Sequence, residues 1–137
     1  MSQPAGTTMG NGKRLPKPTP AELELLRMLW ALGPSSVKQV HEAQQRERPD
    51  IGYANVLRLM QIMHGKGLLN RDESQRSHVY SAAQKQGSMQ TKLLDDFIHK
   101  AFSGSGKDLV MAALRGDSVS EAEREEIQRF LEETRND

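Results

Sequence analysis

The chain has 137 residues, 36% of them hydrophobic and 27% charged, with no Cys and a single Trp. That length fits one domain or two very small ones, and it is too short for a TIM barrel or a two-domain dinucleotide enzyme. Without cysteine there is no disulfide, zinc ribbon, thiolate metal site or Cys nucleophile. No apolar run approaches the ~18 residues that span a bilayer. The N-terminal stretch lacks the apolar centre of a secretory signal, so the expected location is cytoplasmic. The net charge of +1 conceals an asymmetry. Residues 1–87 carry 12 Lys and Arg against 7 Asp and Glu, a net of +5, and residues 88–137 carry 7 against 11, a net of −4. A basic first part paired with an acidic last part suggests that the first part meets a polyanion.

Residues 1–18 are rich in Gly, Pro, Thr and Asn and hold almost no large apolar side chain. They cannot offset the cost of ordering a backbone and read as a disordered arm with a basic tip at Lys13, Arg14 and Lys17. Structure begins at Thr19-Pro20-Ala21-Glu22, an N-cap, a proline at the first helical position and a capping box. Leu23, Leu26, Met28, Leu29, Trp30 and Leu32 then give the buried face of a first helix, which Gly33-Pro34 stops. Ser36 with Gln39 opens a second helix whose stripe is Val37, Val40 and Ala43. Pro49-Asp50-Ile51-Gly52 is a turn. A third helix runs from about Tyr53 to His64, with Val56, Leu59, Met60 and Met63 facing inward, and Gly65 or Gly67 ends it in the left-handed conformation.

The period then shortens. Leu68 to Arg71 and His78 to Ser81 partly alternate around the polar run Asp72 to Ser77, which predicts a β-hairpin. Beyond residue 84 the pattern is helical again. Met89, Leu93, Leu94, Phe97, Ile98, Ala101 and Phe102 form one stripe, Ser103 to Gly106 a break, and Asp108 to Leu114 a short helix. Ser120 with Glu123 is a third capping box, opening a helix that bears Ile127, Phe130 and Leu131. The acidic cluster Glu121, Glu123, Glu125 and Glu126 suits the positive end of that helix and is read as stabilisation.

The expected fold class is mainly α: a winged helix-turn-helix of three helices plus a β-hairpin wing, followed by a C-terminal helical region. The expected divisions are 1–18, a disordered arm; 19–83, a winged-helix DNA-binding domain; and 84–137, a helical dimerisation domain. The major groove of a duplex is wide enough for one helix and presents distinguishable base edges, and the third helix of such a domain lies in it. With Val56, Met60 and Met63 inward, Ala54, Asn55, Leu57, Arg58 and Gln61 lie outside or flank the core. Arg58 is the first candidate for a base or phosphate contact and Asn55 the second. Tyr53 can bond phosphate, Ala54 and an exposed Leu57 can meet a thymine methyl, and Arg71 and Arg76 in the hairpin are candidate phosphate contacts. The competing reading is a protein-interaction module on the same scaffold.

After residue 88 the large apolar positions Leu94, Phe97, Ile98, Phe102, Leu109, Leu114, Ile127, Phe130 and Leu131 are too few to make a self-sufficient domain of short helices. They pack back on the winged helix or complete a core with a second chain. Enzymatic chemistry is not expected. His41, His64, His78 and His99 are scattered singly with no metal-ligand spacing, and Gly104-Ser105-Gly106 lacks the strand and Lys of a phosphate loop. No cofactor or metal is expected.

The stretches LELLRMLWALGPSSVKQVHEA and IGYANVLRLMQIMHGKGLLNRDESQRSHVYSAA resemble the penicillinase-repressor family (BlaI/MecI/CopY type). The resemblance rests on Leu29-Trp30, Ser36-Val37 with Val40, Tyr53 with Val56 leading to Lys66-Gly67-Leu68, and Tyr80, and it covers about residues 19–133. It implies a bacterial repressor that binds a palindromic operator as a homodimer, with Ala54, Asn55, Leu57 and Arg58 reading the groove and the C-terminal helices of two chains intertwined. The family often has small hydroxyl residues at the positions of Ala54 and Asn55, Thr at that of Arg58 and a basic residue at that of Ile62, so it implies no particular operator sequence. In some members a membrane sensor protease cuts between Asn and Phe. The corresponding pair here is Ala112-Ala113, which leaves that partner without its usual cleavage site. The cysteine cluster of the copper-responsive members is absent.

Overall fold

The computed structural model describes residues 17–135, so the expected arm falls almost wholly outside the described residues. Helix α1 spans Pro20–Leu32. The Thr19 N–H donates to Glu22 Oε1 at 2.9 Å and the Glu22 N–H to Thr19 Oγ1 at 3.2 Å, which satisfies two donors that a helix start leaves orphaned. The helix ends at Gly33, whose φ of 82° is open to glycine at little cost. Its buried face is Leu25, Leu26 and Leu29. The sequence stripe omitted Leu25, which is fully buried, and included Leu32, which is 46% exposed at the terminus where the chain turns away.

Helix α2 (Val37–Gln45) is capped by Ser36, again with a capping box to Gln39, and buries Val37, Val40 and Ala43. Helix α3 (Tyr53–Lys66) buries Val56, Met60 and Met63 at i, i+4 and i+7, while Leu59 is only half-buried. It runs one half-turn past the expected end, with Gly65 inside it. Gly67, at φ 87°, closes it: the Gly67 N–H donates to the His64 carbonyl at 3.1 Å and the Leu68 N–H to that of Met63 at 2.9 Å. This is a Schellman motif, completed by the buried Leu68.

The expected hairpin is present. Strands β1 (Leu69–Asp72) and β2 (Val79–Ala82) pair antiparallel, with Leu69 opposite Ala82 and Arg71 opposite Tyr80. A feature hidden from the sequence anchors this wing. Ser35, in the α1–α2 link, exchanges both backbone hydrogen bonds with Tyr80 at 2.9 and 2.8 Å. Tyr80 is itself buried, and the Trp30 indole N–H donates to the Gln84 carbonyl at 3.0 Å just beyond β2. The three helices and the wing are therefore a winged helix-turn-helix.

The contact pattern divides the chain between Gln90 and Thr91, within helix α4 (Gln86–Ala101). Met89, on the near side of that division, is buried. The second unit continues α4 and adds α5 (Gly106–Arg115) and α6 (Glu121–Arg135). Ser103 and Gly104, at φ 50° and 85°, break α4 from α5. Ser105 caps α5, placing Gly106 inside a helix rather than in the expected break, and Ser120 with Glu123 caps α6 as the sequence predicts.

One ion pair holds the first unit together across 44 residues. Glu22, 2% exposed, meets Lys66 Nζ at 2.7 Å through Oε2 while Oε1 serves the cap. Burial alone pushes the Glu22 carboxyl up, but the Lys66 ammonium and the Thr19 donors outweigh it and hold the group below its ordinary value of 4.5. A folded-state value below the unfolded one means that the stabilisation is present above pH 4.5 and is lost as pH falls through the lower, folded value. Removing Lys66 strands a buried carboxylate, whereas removing the Glu22 charge leaves an ammonium that can turn to water. We expect Lys66→Ala to cost about 2 kcal/mol at pH 7, below the ~3–5 of a fully buried pair because Lys66 is partly exposed. Glu22→Gln, which keeps a cap acceptor, should cost about half as much. Urea unfolding at pH 7 and again below pH 4 checks both. Equal costs at the two pH values would contradict this role for the pair.

Candidate nucleic-acid interface

Burial of Val56, Met60 and Met63 fixes which side of α3 faces water. Ala54, Asn55, Arg58 and Gln61 are all exposed, on one stripe that runs along the helix away from the core. Tyr53, at the helix start, is 48% exposed. Its ring meets the His41 ring edge-on at 5.7 Å, and His41 Nε2 lies 2.9 Å from the Ile51 carbonyl oxygen, so α2 sets where α3 begins. The N-cap of α3 is Gly52, which has no side chain to serve the helix's first N–H groups. Those donors and the positive end of the helix dipole stay available to an anion.

Leu57 is the exception among the expected groove residues. It is half-buried rather than exposed. It helps line a cleft with Ser36, Val37, Lys38, Tyr53, Gln61, Arg71, Arg76, Ser77, His78 and Tyr80. Three obligate cations converge on this cleft, and no Asp or Glu is among its lining residues. Arg76 is exposed at the wing tip. Arg71 is not: its Nε and Nη2 lie 2.6 and 2.5 Å from Glu73 Oε2, and its guanidinium carbon is 6.0 Å from the centre of the Tyr80 ring. Contacts with Tyr80 and then Glu73 push the Arg71 pKa further up, and Arg71 in turn holds the Glu73 carboxyl below the usual carboxylate range. The Ser74 side chain, and then its N–H, which donates to Asp72 Oδ1 at 2.9 Å, hold the Asp72 carboxyl below its ordinary range as well.

The structure thus brings Tyr53, Ala54, Asn55 and Arg58 onto one helix and sets Arg71 and Arg76 beside it, across a basic cleft. Sequence reasoning missed Lys38, Ser36, Ser77 and His78. Lys38 stands in the first turn of a capped helix between buried Val37 and Val40, a polar position next to the expected groove helix, and that signal was available. Ser77 and His78 depend on where the hairpin folds, which the residue pattern does not encode.

The second unit shows a different character. Leu94, Phe97, Phe130 and Leu131 are between 45% and 62% exposed, and Ile98, Phe102, Leu109, Leu114 and Ile127 are half-buried. From Thr91 onward no described residue is buried. Phe97 and Phe102 meet edge-on at 5.8 Å, and Arg124 donates to the Leu114 carbonyl, yet these contacts enclose nothing. Val110 and Met111 on α5 add exposed apolar surface that the sequence reading did not place in this set. Ala112 and Ala113 lie inside α5 and are half-buried. Among the described residues no three His, Cys, Asp or Glu side chains are grouped to hold a metal, and no helix is long and apolar enough to cross a membrane.

The family model described as penicillinase repressor matches residues 18–133. The penicillinase repressor of Bacillus licheniformis is 24% identical over 127 residues, which cover 90% of this chain and 96% of that one. Among solved structures, the solution structure of apo-NmtR aligns with a TM-score of 0.43 and 24% identity over 75% of this chain and 82% of that one. With a family model spanning nearly all of the described helices and the wing, the chain belongs to the penicillinase repressor family and is a repressor-type transcriptional regulator built on a winged helix.

Proposed function

We propose that the protein acts as a homodimer that represses transcription by binding a palindromic operator, α3 of each copy lying in the major groove of one half-site. The observation that carries this reading is the exposed Ala54-Asn55-Arg58-Gln61 stripe running beside a cleft lined by Lys38, Arg76 and the Glu73-paired Arg71. Arg58 suits guanine or phosphate, and Asn55 and Gln61 suit adenine. Ala54 and the half-buried Leu57 offer apolar contact to a thymine methyl, Tyr53 a hydroxyl for phosphate. Residues 19–83 form the DNA-binding domain in this reading and residues 84–137 the dimerisation domain. The case for a second chain rests on Leu94, Phe97, Phe130 and Leu131, which stay exposed, and on a unit with no buried residue, which gains a core only by acquiring a partner surface. Two-fold symmetry of the protein then requires two-fold symmetry of the operator, with half-sites about one helical turn or a multiple apart.

The direct test is selection from random duplexes, followed by titration of the recovered sequence against salt. A dimer making about 6–10 phosphate contacts loses roughly 10³–10⁵ in affinity between about 50 and 200 mM salt. A flat response, or no enriched sequence, would favour the protein-interaction reading instead. Arg58→Ala should weaken binding to the selected site by about 1–3 kcal/mol and relax specificity at one position, with dimer mass unchanged. Phe97→Asp and Phe130→Asp should each sediment as monomers and bind the full site poorly, since one half-site supplies only half the contacts. A dimeric, fully binding Phe97→Asp and Phe130→Asp would show that the proposed interface lies elsewhere.

A further inference from the structure

The tip of the wing holds a charge arrangement that a simple phosphate-contact role for Arg71 leaves unexplained. Arg71 directs both Nε and Nη2 at one atom, Oε2 of Glu73, at 2.6 and 2.5 Å. The cation is the more enclosed partner, its side chain 24% exposed against 52% for the carboxylate. The guanidinium carbon also lies 6.0 Å from the Tyr80 ring centre, and Tyr80 is buried and pinned by the bridge to Ser35. Arg71 is therefore held by a buried ring and by a more exposed carboxylate, which occupies its Nε–H and an Nη2–H. A carboxylate oxygen that accepts two guanidinium N–H groups stands where a phosphate oxygen would stand. Asp72 does not compete for the role, since its Oδ1 accepts the Ser74 N–H and so folds the chain back beyond β1. Arg76, at the same tip, is exposed and lines the same cleft.

We propose that Glu73 is an internal phosphate mimic that competes with the DNA backbone for Arg71. The proposal rests on the duplex-binding reading given above and specifies how the wing takes part in it. A phosphate reaches the Nε and Nη2 donors of Arg71 only by displacing Glu73, and the displaced carboxylate then remains near the polyanion. In the free protein Arg71 is already neutralised, so its engagement adds nothing net to counterion release. The wing arginine is thereby held back from any duplex, whatever its sequence, and the exposed face of α3 is left to decide where the protein stays. Glu73 is a positioning residue in this scheme and touches no base.

The test is a fluorescence-anisotropy titration of the full chain with a random-sequence duplex roughly three helical turns long. Glu73→Gln should bind it roughly 3–10-fold more tightly near 100 mM salt, and the plot of log affinity against log salt should steepen by about 0.9 for each wing phosphate contact released. Arg71→Ala placed on top of Glu73→Gln should abolish both gains. Three results would overturn the proposal. Weaker binding by Glu73→Gln would mean that the carboxylate orients Arg71 for contact. A gain that persists in the Arg71→Ala background would mean that Glu73 acts only as a repelling charge. An unchanged affinity and slope would mean that the pair is not in the interface. Failure of the unsubstituted chain to bind any duplex at low salt is a separate outcome: it would overturn the duplex-binding reading itself and this proposal with it.

Discussion

The first unit depends on one constraint, the burial of Val56, Met60 and Met63 along a single seam of α3. A helix with three side chains locked at i, i+4 and i+7 cannot rotate about its axis without exposing them, at about 1.5–3 kcal/mol for each. Rotation fixed on one side is orientation fixed on the other, so the seam decides that Asn55, Arg58 and Gln61 face water. Axial position is fixed separately. The Gly67 Schellman motif ends the helix, the His41–Tyr53 ring contact marks its start, and the Glu22–Lys66 pair ties its last turn to the first turn of α1. The wing is tied in by the Ser35–Tyr80 bridge, so Arg71 and Arg76 are carried on the same framework as α3. A polar helix face on its own is ordinary solvated surface. Held in this way, with cations across a cleft, it becomes a surface with a defined shape and charge.

The two units differ in how their apolar residues are used. Up to Gln90 the chain encloses a core that includes Leu25, Leu26, Val40, Met60, Met63 and Tyr80. From Thr91 onward the helices are well capped, at Ser105 and Ser120, yet bury nothing. Capping stabilises a helix end by about 1 kcal/mol and does not replace a core. Such a set of helices has its local structure specified and its tertiary partner left open. The proposed function assigns the first part to presenting a helix and the second to acquiring a partner surface.

Much of this was legible in the residues because local physics is written locally. The capping boxes at Thr19, Ser36 and Ser120 and the left-handed Gly67 each involve side chains within a few positions of one another, and each stands as the sequence predicts. The inward seam of α3 followed from a period of 3.6. What was not legible is non-local. The Glu22–Lys66 pair, the Ser35–Tyr80 bridge and the Trp30–Gln84 hydrogen bond join residues separated by 44, 45 and 54 positions, and no spacing rule connects them. Leu57 was expected in the open because the helix pattern alone could not show that it lines a cleft with residues of the wing. Leu25 and Leu32 exchanged roles because the closely spaced Leu23, Leu25, Leu26, Leu29 and Leu32 leave the centre of the buried arc undetermined by the pattern alone. Lys38 was overlooked because its importance comes from the wing folding back across from it. Arg71 is a candidate phosphate contact by sequence, and its pairing with Glu73, two residues on in the polar run, comes only from the fold of the wing.

Backbone-amide NMR mapping on the full chain reads directly which surface meets the proposed operator. On addition of the selected operator, the largest shift changes should fall on residues 53–62 of α3, on the first turn of α2 around Lys38 and on the wing between Arg71 and His78. Residues 91–135 should change little, since the proposed dimer sets their surroundings before the duplex arrives. Changes concentrated on the second unit, with α3 and the wing unmoved, would contradict the central claim.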